Sequence, residues 1–503
     1  MKHIIWLLKP TGSGSKSRRL QPARRRDEAR KLSSIRKTAR AKARGSLGSR
    51  CTGGLKPLLL IWLLCVCGLA GCAATRDRPN VVFILADDLG YGDLGCYGQK
   101  MIQTPHLDRM AAEGMRFKQF YAGSTVCAPS RCCLMTGLHT GHAIIRGNGN
   151  VPLRPQDVTV AEIFKQAGYA TGIIGKWGLG EAGTTGIPNR KGFDEFFGYL
   201  NQALAHNYYP PKLWRNETEI ALEGNLNGQK KQYSHDLFTQ EALSFIERHK
   251  SQPFFLYLAY TIPHANNELG GKTGDGMEVP DYGPYADRDW PGPEKGKAAM
   301  ITRMDRDVGR IMDELKRLGL DGRTLVFFTS DNGPHHEGGV KPEFVDSNGP
   351  LRGGKRDLYE GGIRVPMIAR WPGHVTAGGL GDSEAWAMWD FLPTMCELVG
   401  RQPPAGLDGI SMLPAIEGRP SPRSHDYLYW EFHEKGFSQA VRMDDWKASR
   451  KGLGQPLELY DLTTYPGERC DVAGDHPDVV ARIEAYLKTA RTESAHWPVT
   501  LTR

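Results

Sequence analysis

The sequence lacks a hydrophobic run long enough to cross a membrane. Its longest apolar run, Leu58–Ala70, has 13 residues, whereas a membrane-spanning helix needs roughly 20 residues. Lys56 stands just before this run, and a basic residue followed by a short apolar stretch is typical of a secretory signal. The pattern therefore indicates an export signal rather than a spanning helix.

Large apolar side chains are almost absent from residues 9–50, which are rich in Arg, Lys, Ser and Gly. Such a segment cannot bury enough surface to offset the entropy that it would lose on ordering. We interpret residues 1–54 as a disordered basic leader or as the product of a start codon placed too early. Residues 55–78 are then the signal and a short linker.

The signal ends in Leu69-Ala70-Gly71-Cys72. This run resembles the lipobox of bacterial lipoproteins, in which the cysteine is lipidated after cleavage. We therefore expect an exported bacterial protein that is periplasmic or anchored in the outer membrane, with a lipid on Cys72 as its one membrane contact. An ordinary signal peptide cut near Ala73 or Ala74 is the alternative.

Beyond the signal, the chain has no surplus of basic residues. Residues 1–72 hold 17 Lys and Arg against Asp27 and Glu28, so the formal net charge of +9 becomes about −6 for the remainder. Nucleic-acid binding depends on positive charge that neutralises phosphates. We therefore predict no nucleic-acid partner.

Cysteine is scarce after the signal and shows no metal-binding spacing. Cys132 and Cys133 are adjacent, and the other four (Cys96, Cys127, Cys396 and Cys470) are scattered, unlike the paired cysteines of zinc sites. An exported protein can form disulfides, but the sequence does not determine which of these cysteines pair.

Residues 79–422 have the pattern of one α/β domain. Asn80–Ala86 and Arg323–Thr329 are continuous β-branched and apolar runs, as expected of strands that are covered on both faces of a sheet. Strands that alternate with amphipathic helices predict a helix-flanked, mostly parallel sheet. Further strands are predicted at Ala170–Ile174 and Phe254–Tyr260, and helices at Thr159–Ala167 and Ala298–Leu318.

Residues 423–503 predict a small α+β subdomain after the connectors Gly400–Gly409 and Gly418–Arg423. The glycine-rich segments 265–297 and 333–362 are longer than turns, and we expect them to be loops that form the mouth of a site. In the subdomain, antiparallel strands are predicted at Tyr427–Phe432, Gln439–Arg442 and Trp446–Ser449, followed by a terminal helix over Pro477–Thr489.

The most specific pattern in the chain begins at Cys127. It reads Cys127-Ala128-Pro129-Ser130-Arg131 and continues through Leu134 to Thr136-Gly137. At every fixed position it resembles the sulfatase signature C-x-P-S-R-x-x-L-x-T-G, whose cysteine is oxidised to formylglycine by a dedicated formylglycine-generating enzyme. The resemblance covers nearly all of residues 79–472.

This resemblance is to the formylglycine-dependent (type I), arylsulfatase-like sulfatases of the alkaline-phosphatase superfamily. It implies an α/β fold with a large mixed sheet sandwiched by helices and a smaller C-terminal antiparallel sheet plus helix. The activity implied is hydrolysis of sulfate esters. Because a hydrated aldehyde is a gem-diol, one oxygen can attack sulfur while the other expels sulfate by collapse to the aldehyde, which divides one hard step into two easier ones.

Acidic residues follow the two buried strands at their carboxyl ends, where open α/β sheets place their sites. Asp87 and Asp88 come after the first strand, and Asp331 and Asn332 after the later one. Three carboxylates and an amide oxygen are a hard oxygen set that suits Ca²⁺, with Mg²⁺ as the alternative. In the family, these positions bind the metal together with the modified residue, here Cys127.

Basic residues occur in further blocks that match the family. By resemblance, Arg131 orients the formylglycine, while Lys176, His264 and Lys355 hold the sulfate group. His264 or Lys355 is also a candidate to protonate the leaving oxygen.

One position departs from the family pattern. The family has G-K-W-H-L-G, where the histidine is the base on the formylglycine hydroxyl, but this chain has Gly178 at that place. Glycine cannot accept a proton, so we hypothesise that a histidine from another loop substitutes, with His206 as the first candidate. The alternative is that His206 only contacts substrate, as we expect of Asn207, or packs beside the tyrosines that follow.

The substrate is expected to be a sulfated saccharide, because exported bacterial relatives commonly act on polysaccharide fragments. Aromatic residues in two loops could stack on sugar rings or could simply pack. A phosphonate or phosphodiester hydrolase with the same nucleophile, and a non-catalytic binder of sulfated glycans, are the alternative functions. The aromatic residues are Tyr208, Tyr209, Trp214, Tyr282, Tyr285 and Trp290.

Overall fold

The computed structural model describes residues 78–499, apart from residues 383 and 435. The predicted leader (1–54), nearly all of the predicted signal and linker (55–78) and Cys72 lie outside the described residues, so these assignments stay predictions. Within the described part of the chain, no helix is both long enough and apolar enough to span a bilayer.

The strands of the described residues form three sheets. The largest is a ten-stranded mixed sheet in which most of the central strands are parallel, as the sequence predicts. The strands are β1 (Asn80–Ala86), β2 (Met115–Phe117), β3 (Phe120–Tyr121), β4 (Ala170–Lys176), β5 (Glu195–Tyr199), β6 (Lys212–Arg215), β7 (Thr218–Ala221), β8 (Phe254–Ala259), β9 (Thr324–Ser330), β10 (Met367–Arg370), β11 (Gly379–Gly381), β12 (Trp386–Ala387), β13 (Leu428–Phe432), β14 (Ser438–Met443), β15 (Trp446–Lys451) and β16 (Glu458–Asp461). Their orders are β11-β2-β10-β9-β1-β8-β4-β5-β6-β7, β12-β3 and β13-β14-β15-β16.

Helices cover both faces of the large sheet. The α-helices are α1 (Pro105–Glu113), α2 (Cys127–Thr136), α3 (Val160–Gln166), α4 (Ser234–His249), α5 (Asn267–Thr273), α6 (Gly292–Arg317), α7 (Glu360–Ile363), α8 (Phe391–Leu398), α9 (Leu413–Ile416) and α10 (Pro477–Leu487). Short 3₁₀ helices span Gly95–Tyr97, Pro188–Arg190, Leu204–His206, Glu223–Gly228, Gly283–Tyr285, Asp321–Arg323 and Met388–Asp390.

Strand β1 lies at the centre because it is apolar on both faces. Val81, Phe83 and Leu85 belong to the core that includes α2, α3 and α8, whereas Val82 and Ile84 belong to the core that includes α1, α4 and α6. Successive side chains of a strand point to opposite faces, so one continuous apolar run serves two cores. The predicted helix-flanked α/β sheet is thereby confirmed.

The predicted helices differ from the observed ones mainly at their starts. Thr159 is not part of α3 but caps it, since its side chain accepts from the Glu162 backbone N–H and Glu162 reaches back to the Thr159 N–H. The loop prediction for residues 265–297 is wrong in part, because α5 lies within it and α6 begins at Gly292 rather than at Ala298. Proline in the first turn of α6 favours this early start.

The C-terminal part forms the predicted antiparallel sheet with one packed helix. Strands β13 to β16 are consecutive neighbours, and Val479, Ile483 and Leu487 of α10 pack against them. Trp430 of β13 instead belongs to the core of the large sheet, and its indole donates to the carbonyl of Ala122 over 2.9 Å. The smaller sheet is therefore joined to the larger domain through β13.

Candidate active site

The acidic residues that follow β1 and β9 lie together at one edge of the sheet. The two strands pair in parallel with Ala86 opposite Ser330, so the residues after them are neighbours. The Asp88 backbone N–H donates to Oδ1 of Asp331 over 3.2 Å, and the Asn332 amide donates to Oδ1 of Asp88 over 2.7 Å. Strand pairing thus joins two motifs that are 243 residues apart.

Cys127 is the first residue of α2, and its thiol faces this acidic cluster. Its Sγ lies 3.3 Å from Oδ1 of Asp87, to which the thiol donates. Burial raises the pKa of the Cys127 thiol well above its usual value, and the charge of Asp87 adds to the rise. Because the thiolate is the nucleophilic form of cysteine, an unmodified Cys127 is poorly suited to attack a substrate here.

Two buried cationic side chains bind the second carboxylate oxygen of Asp87, Oδ2. Arg131 lies one helical turn after Cys127, and its Nη2 is 3.2 Å from Oδ2 of Asp87 and 2.8 Å from Oδ2 of Asp331. Nζ of Lys176, the last residue of β4, is 2.7 Å from Oδ2 of Asp87. Burial alone would raise the pKa of Asp87, but the neighbouring Lys176 holds it well below the usual range. Asp87 is therefore a permanent anion.

Lys355 and His264 form the other wall of the site. Nζ of Lys355 is 2.9 Å from Oδ2 of Asp88, 2.9 Å from Nε2 of His264 and 3.0 Å from Oε2 of Glu337. Nδ1 of His264 lies 2.7 Å from the carbonyl of Ala265, which fixes the tautomer with the proton on Nδ1. Burial lowers the pKa of His264 well below its usual value, and Lys355 lowers it further, so the imidazole is neutral.

The donor set fits a hard divalent cation. Oδ1 of Asn332 is buried and, among the described residues, has no hydrogen-bond partner, which is rare for a buried acceptor. Burial raises the pKa of Asp331 to about 7, and the nearby charge of Asp87 contributes. Ligand atoms of Asp87, Asp88, Cys127 and His264 lie within 4.8 Å of one another. Oxygen ligands and crowded negative charge are what Ca²⁺ and Mg²⁺ require.

His206 reaches this site through His264. The two rings stack with centroids 4.7 Å apart and an interplanar angle of 12°, and Nδ1 of His206 is 3.2 Å from the carboxylate of Glu268. Burial lowers the pKa of His206, and the charge of Lys176 lowers it further. His206 is thus a neutral imidazole beside the cluster, and its role as the base stays a prediction.

Asn207 is occupied mainly by its own loop. Its Oδ1 accepts from the Tyr209 backbone N–H over 2.9 Å, and its carbonyl accepts from the Tyr199 hydroxyl over 2.5 Å. The residue also lines an outer cleft of about 520 Å³ together with Glu268. These interactions do not test the predicted contact of Asn207 with substrate, which stays a prediction.

The aromatic residues considered for sugar stacking include both core residues and surface residues. Tyr208 and Tyr285 are buried, and the Tyr208 hydroxyl donates to the carbonyl of Thr261 over 3.0 Å. Trp290 packs against Tyr285 with ring centroids 5.5 Å apart. Of the two alternatives, packing therefore applies to Tyr208 and Tyr285, because both rings lie in the core. Tyr209 and Tyr282 line surface clefts.

Two polar residues of the site were not found from the sequence. Glu337 lies in the loop that was expected to form the mouth and binds Lys355 and Arg356, the latter at 2.6 Å. Asn148 accepts the Ala128 backbone N–H over 3.1 Å and so holds the start of α2. Neither belongs to a recognisable motif, and only their contacts reveal them.

Sequence comparison relates nearly all of the described chain to sulfatases. A model of the sulfatase family matches residues 79–401, and a model of the C-terminal region of N-sulphoglucosamine sulphohydrolase matches residues 353–493. These matches cover the large sheet, the cluster around Cys127 and the smaller sheet.

Relatives and solved structures agree with these matches. N-acetylgalactosamine-6-sulfatase of Sus scrofa is 36% identical over 387 residues, which cover 72% of this chain and 70% of that protein. Arylsulfatase A of Homo sapiens is 34% identical over 487 residues, which cover 85% of this chain and 90% of that protein. The crystal structure of Ps i-CgsB in complex with k-i-k-neocarrahexaose has a TM-score of 0.72 and 29% identity, and it covers 84% of this chain and 95% of that one.

Proposed function

The chain belongs to the sulfatase family and is a sulfuric ester hydrolase, and from this premise we propose that it releases sulfate from sulfated carbohydrate through a formylglycine made from Cys127. The observation that carries the proposal is the position of Cys127, which lies 3.3 Å from the carboxylate of Asp87 and close enough to Lys176 and Lys355 for both charges to act on it. A thiol held in its protonated form by burial and by Asp87 is inert as cysteine, whereas a gem-diol at the same place has a hydroxyl that can attack sulfur.

The cationic side chains supply the charge that a sulfuryl transfer needs. Arg131 is fixed by Asp87 and Asp331 and orients residue 127 from the same helix. Lys176, Lys355 and the neutral His264 surround the position of the sulfate oxygens, where preorganised donors stabilise developing negative charge. Lys355 is also the charged donor that can protonate the leaving oxygen.

Asp87, Asp88, Asp331 and Asn332 would hold a divalent cation together with the modified residue 127. We propose calcium, with magnesium as the alternative, because all the protein donors are oxygens. The cation would neutralise part of the carboxylate charge and favour the ionised form of the nucleophile.

Carbohydrate is the proposed substrate class because relatives act on it by name. The pig relative is an N-acetylgalactosamine-6-sulfatase, and the solved Ps i-CgsB structure contains a neocarrahexaose. The clefts beside the site, of about 540 and 520 Å³, are in the size range of small-molecule sites. The buried tyrosines do not contribute to this proposal.

We also propose that the protein is exported and meets a formylglycine-generating enzyme on its way. The support is the signal-like run before Cys72 and the complete signature at Cys127. A lipid on Cys72 would anchor the enzyme to the outer membrane of a bacterium. Labelling with a palmitate analogue, lost in Cys72→Ser, tests the anchor.

The proposed reaction is tested by the pair Cys127→Ala and Cys470→Ala in a host that matures sulfatases. Conversion of the Cys127 thiol to an aldehyde lowers the peptide mass by about 18 Da. We expect Cys127→Ala to lose both this mass change and hydrolysis of aryl and sugar sulfates. Cys470 is exposed, so Cys470→Ala should retain both. Full sulfatase activity in Cys127→Ala, or faster hydrolysis of phosphodiesters than of sulfates, would contradict the proposal.

A further inference from the structure

The place of the missing side chain at Gly178 is filled from another loop. Gly178 has a φ of +77°, and a Cβ atom added to it would lie 2.0 Å from Nε2 and 3.0 Å from Cδ of Gln202. A side chain at 178 would therefore need both a left-handed backbone and the removal of Gln202. The glutamine occupies the space into which a residue at 178 would project.

The backbone fixes this arrangement. Beyond the paired ends of β4 and β5, the Trp177 N–H donates to the Tyr199 carbonyl and the Gly178 N–H to the Leu200 carbonyl, both over 3.0 Å. Residue 202 is consequently held beside residue 178 by continued strand pairing. Oδ1 of Asn201 accepts the Leu204 N–H over 2.9 Å and so fixes the turn that follows.

Gln202 has unused hydrogen-bonding capacity. Its Nε2 is buried and has no acceptor among the described residues. An amide N–H₂ has two donors and rarely stays unpaired when it is buried. The Gln202 side chain also lines an adjoining cavity.

That cavity, of about 540 Å³, adjoins the reacting residues. One wall contains Asn148, which holds the backbone N–H of the residue after Cys127, and another contains Gly178, two residues after Lys176. Its lining includes the amides of Asn148, Asn150, Asn201 and Gln202, the hydroxyl of Thr184 and the exposed carboxylate of Glu181.

The lining indicates what the cavity can bind. Among the described residues that line it, none is Lys, Arg or His. A second sulfate or a uronate carboxylate would find no cation there and would meet the charge of Glu181. Neutral hydroxyl groups, by contrast, match amide donors and acceptors.

We propose that Gln202 is a specificity-determining residue that hydrogen-bonds a hydroxyl of an uncharged sugar ring held in this cavity, next to the sulfate ester. The proposal rests on the proposed function, because the cavity is assigned through its contact with the site of Cys127 and Lys176. It adds the substrate class: a neutral sugar that bears one sulfate in this position.

Steady-state kinetics with two kinds of ester test the proposal. One is 4-nitrophenyl sulfate, which has the ester and no sugar, and the other is the best substrate from a panel of monosulfated galactose and N-acetylgalactosamine isomers. Gln202→Ala should raise KM for the sugar sulfate about five- to tenfold, which corresponds to the free energy of one lost hydrogen bond. The sugar-to-aryl ratio of kcat/KM should fall by a similar factor. Gln202→Asn, which keeps an amide on a shorter side chain, should have a sugar-to-aryl ratio between those of the wild type and Gln202→Ala.

Gln166→Ala is the matched control, since Gln166 is an exposed glutamine at the end of α3, and its ratio should equal that of the wild type. In a double-mutant cycle, Gly178→Ala should lower the ratio in the wild type but have little further effect in Gln202→Ala, because the displaced side chain is already absent. Melting temperatures of all variants separate misfolding from lost recognition.

The outcomes distinguish this inference from the proposed function. If fully matured wild type hydrolyses no sulfate ester, both are overturned. If it hydrolyses sulfate esters but Gln202→Ala leaves the sugar-to-aryl ratio unchanged, only the role of Gln202 is overturned. A preference for disulfated or uronate-containing sugars over the neutral monosulfated ones would overturn it as well.

Discussion

Nζ of Lys355 lies 2.9 Å from Nε2 of His264 and points its charge at an imidazole that is kept neutral. The His264 Nδ1 proton is directed at the Ala265 carbonyl, so Nε2 is an acceptor and Lys355 is the donor of this pair. Of the two residues considered for protonating the leaving oxygen, the hydrogen bonding favours Lys355.

Replacing Lys355 should therefore be most harmful for substrates with poor leaving groups. Sugar alkoxides need a proton as the ester bond breaks, whereas 4-nitrophenolate leaves without one. In Lys355→Met we expect kcat/KM for a sugar sulfate to fall about 10²- to 10⁴-fold and to fall less for 4-nitrophenyl sulfate. His264→Gln should lower both rates to a similar extent. Equal losses for both esters in Lys355→Met would contradict the donor role.

Removal of divalent cations should lower the melting temperature. Asp87, Asp88 and Asp331 are buried together, and a cation that binds only the folded state at 100 times its Kd stabilises it by about 2.7 kcal/mol. A titration of Ca²⁺ into EDTA-treated protein, followed by the melting temperature, measures the effect. Asp88→Asn should weaken the response, and Asp289→Asn, at an exposed position, should leave it intact. A melting temperature that ignores Ca²⁺ in the wild type would count against the site.

Arg131→Ala should destabilise the fold strongly. The side chain is completely buried between Asp331 and Asp87, and removing one partner of a buried ionic network leaves carboxylates without compensation, at a cost of about 3–5 kcal/mol. Urea unfolding monitored by tryptophan fluorescence gives the difference. Arg190→Ala, which breaks an exposed ion pair, should change stability by less than about 1 kcal/mol. Comparable stabilities of the two variants would disprove the argument.

His139 should make the fold sensitive to acid. Burial lowers its pKa from 6.5 to about 4, although Asp408 partly opposes the shift. Between these two pKa values the unfolded chain binds a proton at residue 139 that the folded chain does not bind. The contribution of neutral His139 to the free energy of unfolding is therefore fully present above pH 6.5 and is lost as the pH falls towards 4. The contribution is at most about 3 kcal/mol.

Urea midpoints at pH 7.5, 5.5 and 4.5, taken on the wild type and on His139→Gln, isolate this contribution from that of the carboxylates. We expect the difference in stability between the two proteins to shift in favour of His139→Gln as the pH falls. Parallel pH profiles would show that His139 titrates alike in both states.

His206→Ala should slow turnover if His206 is the base that replaces the family histidine. The ring stacks on His264 at 4.7 Å, within the wall of the site, and without a base the sulfated form of the enzyme should accumulate and be visible by intact mass spectrometry. His374→Ala is a matched control, because His374 is exposed and stacks on Trp371 at 3.8 Å. Unchanged turnover in His206→Ala would reject the hypothesis.

The parts of the fold that the sequence predicted well are those with strong periodicity. β1, β8, β9 and α10 agree closely with their predicted ranges, because long apolar or amphipathic runs leave few alternatives. The short strands β2, β3, β11 and β12 were not predicted. They have two or three residues each. Strands this short carry almost no local pattern and are stabilised by pairing with neighbouring strands.

The residues of the candidate site were found from sequence motifs, but the contacts between their side chains were not. The sequence motifs assigned Asp87, Cys127 and Asp331 to one site. They did not reveal that Oδ1 of Asn332 has no partner among the described residues. They also did not reveal that Lys355 binds Glu337 or that His206 stacks on His264, because these contacts join distant segments. The packing of Tyr208 and Tyr285 in the core was equally invisible, since aromatic residues suit both a core and a sugar site.

The sequence alone predicted the nucleophile position and the ligand types and determined the class of fold, because a fixed signature and the period of apolar residues depend only on neighbours along the chain. The tertiary structure decided which side chain fills the space at Gly178, which tautomer His264 adopts and which polar atoms lack a partner. These properties arise where strands 23 and 244 residues apart are paired, and no local pattern can fix the distance between two atoms that only folding brings together.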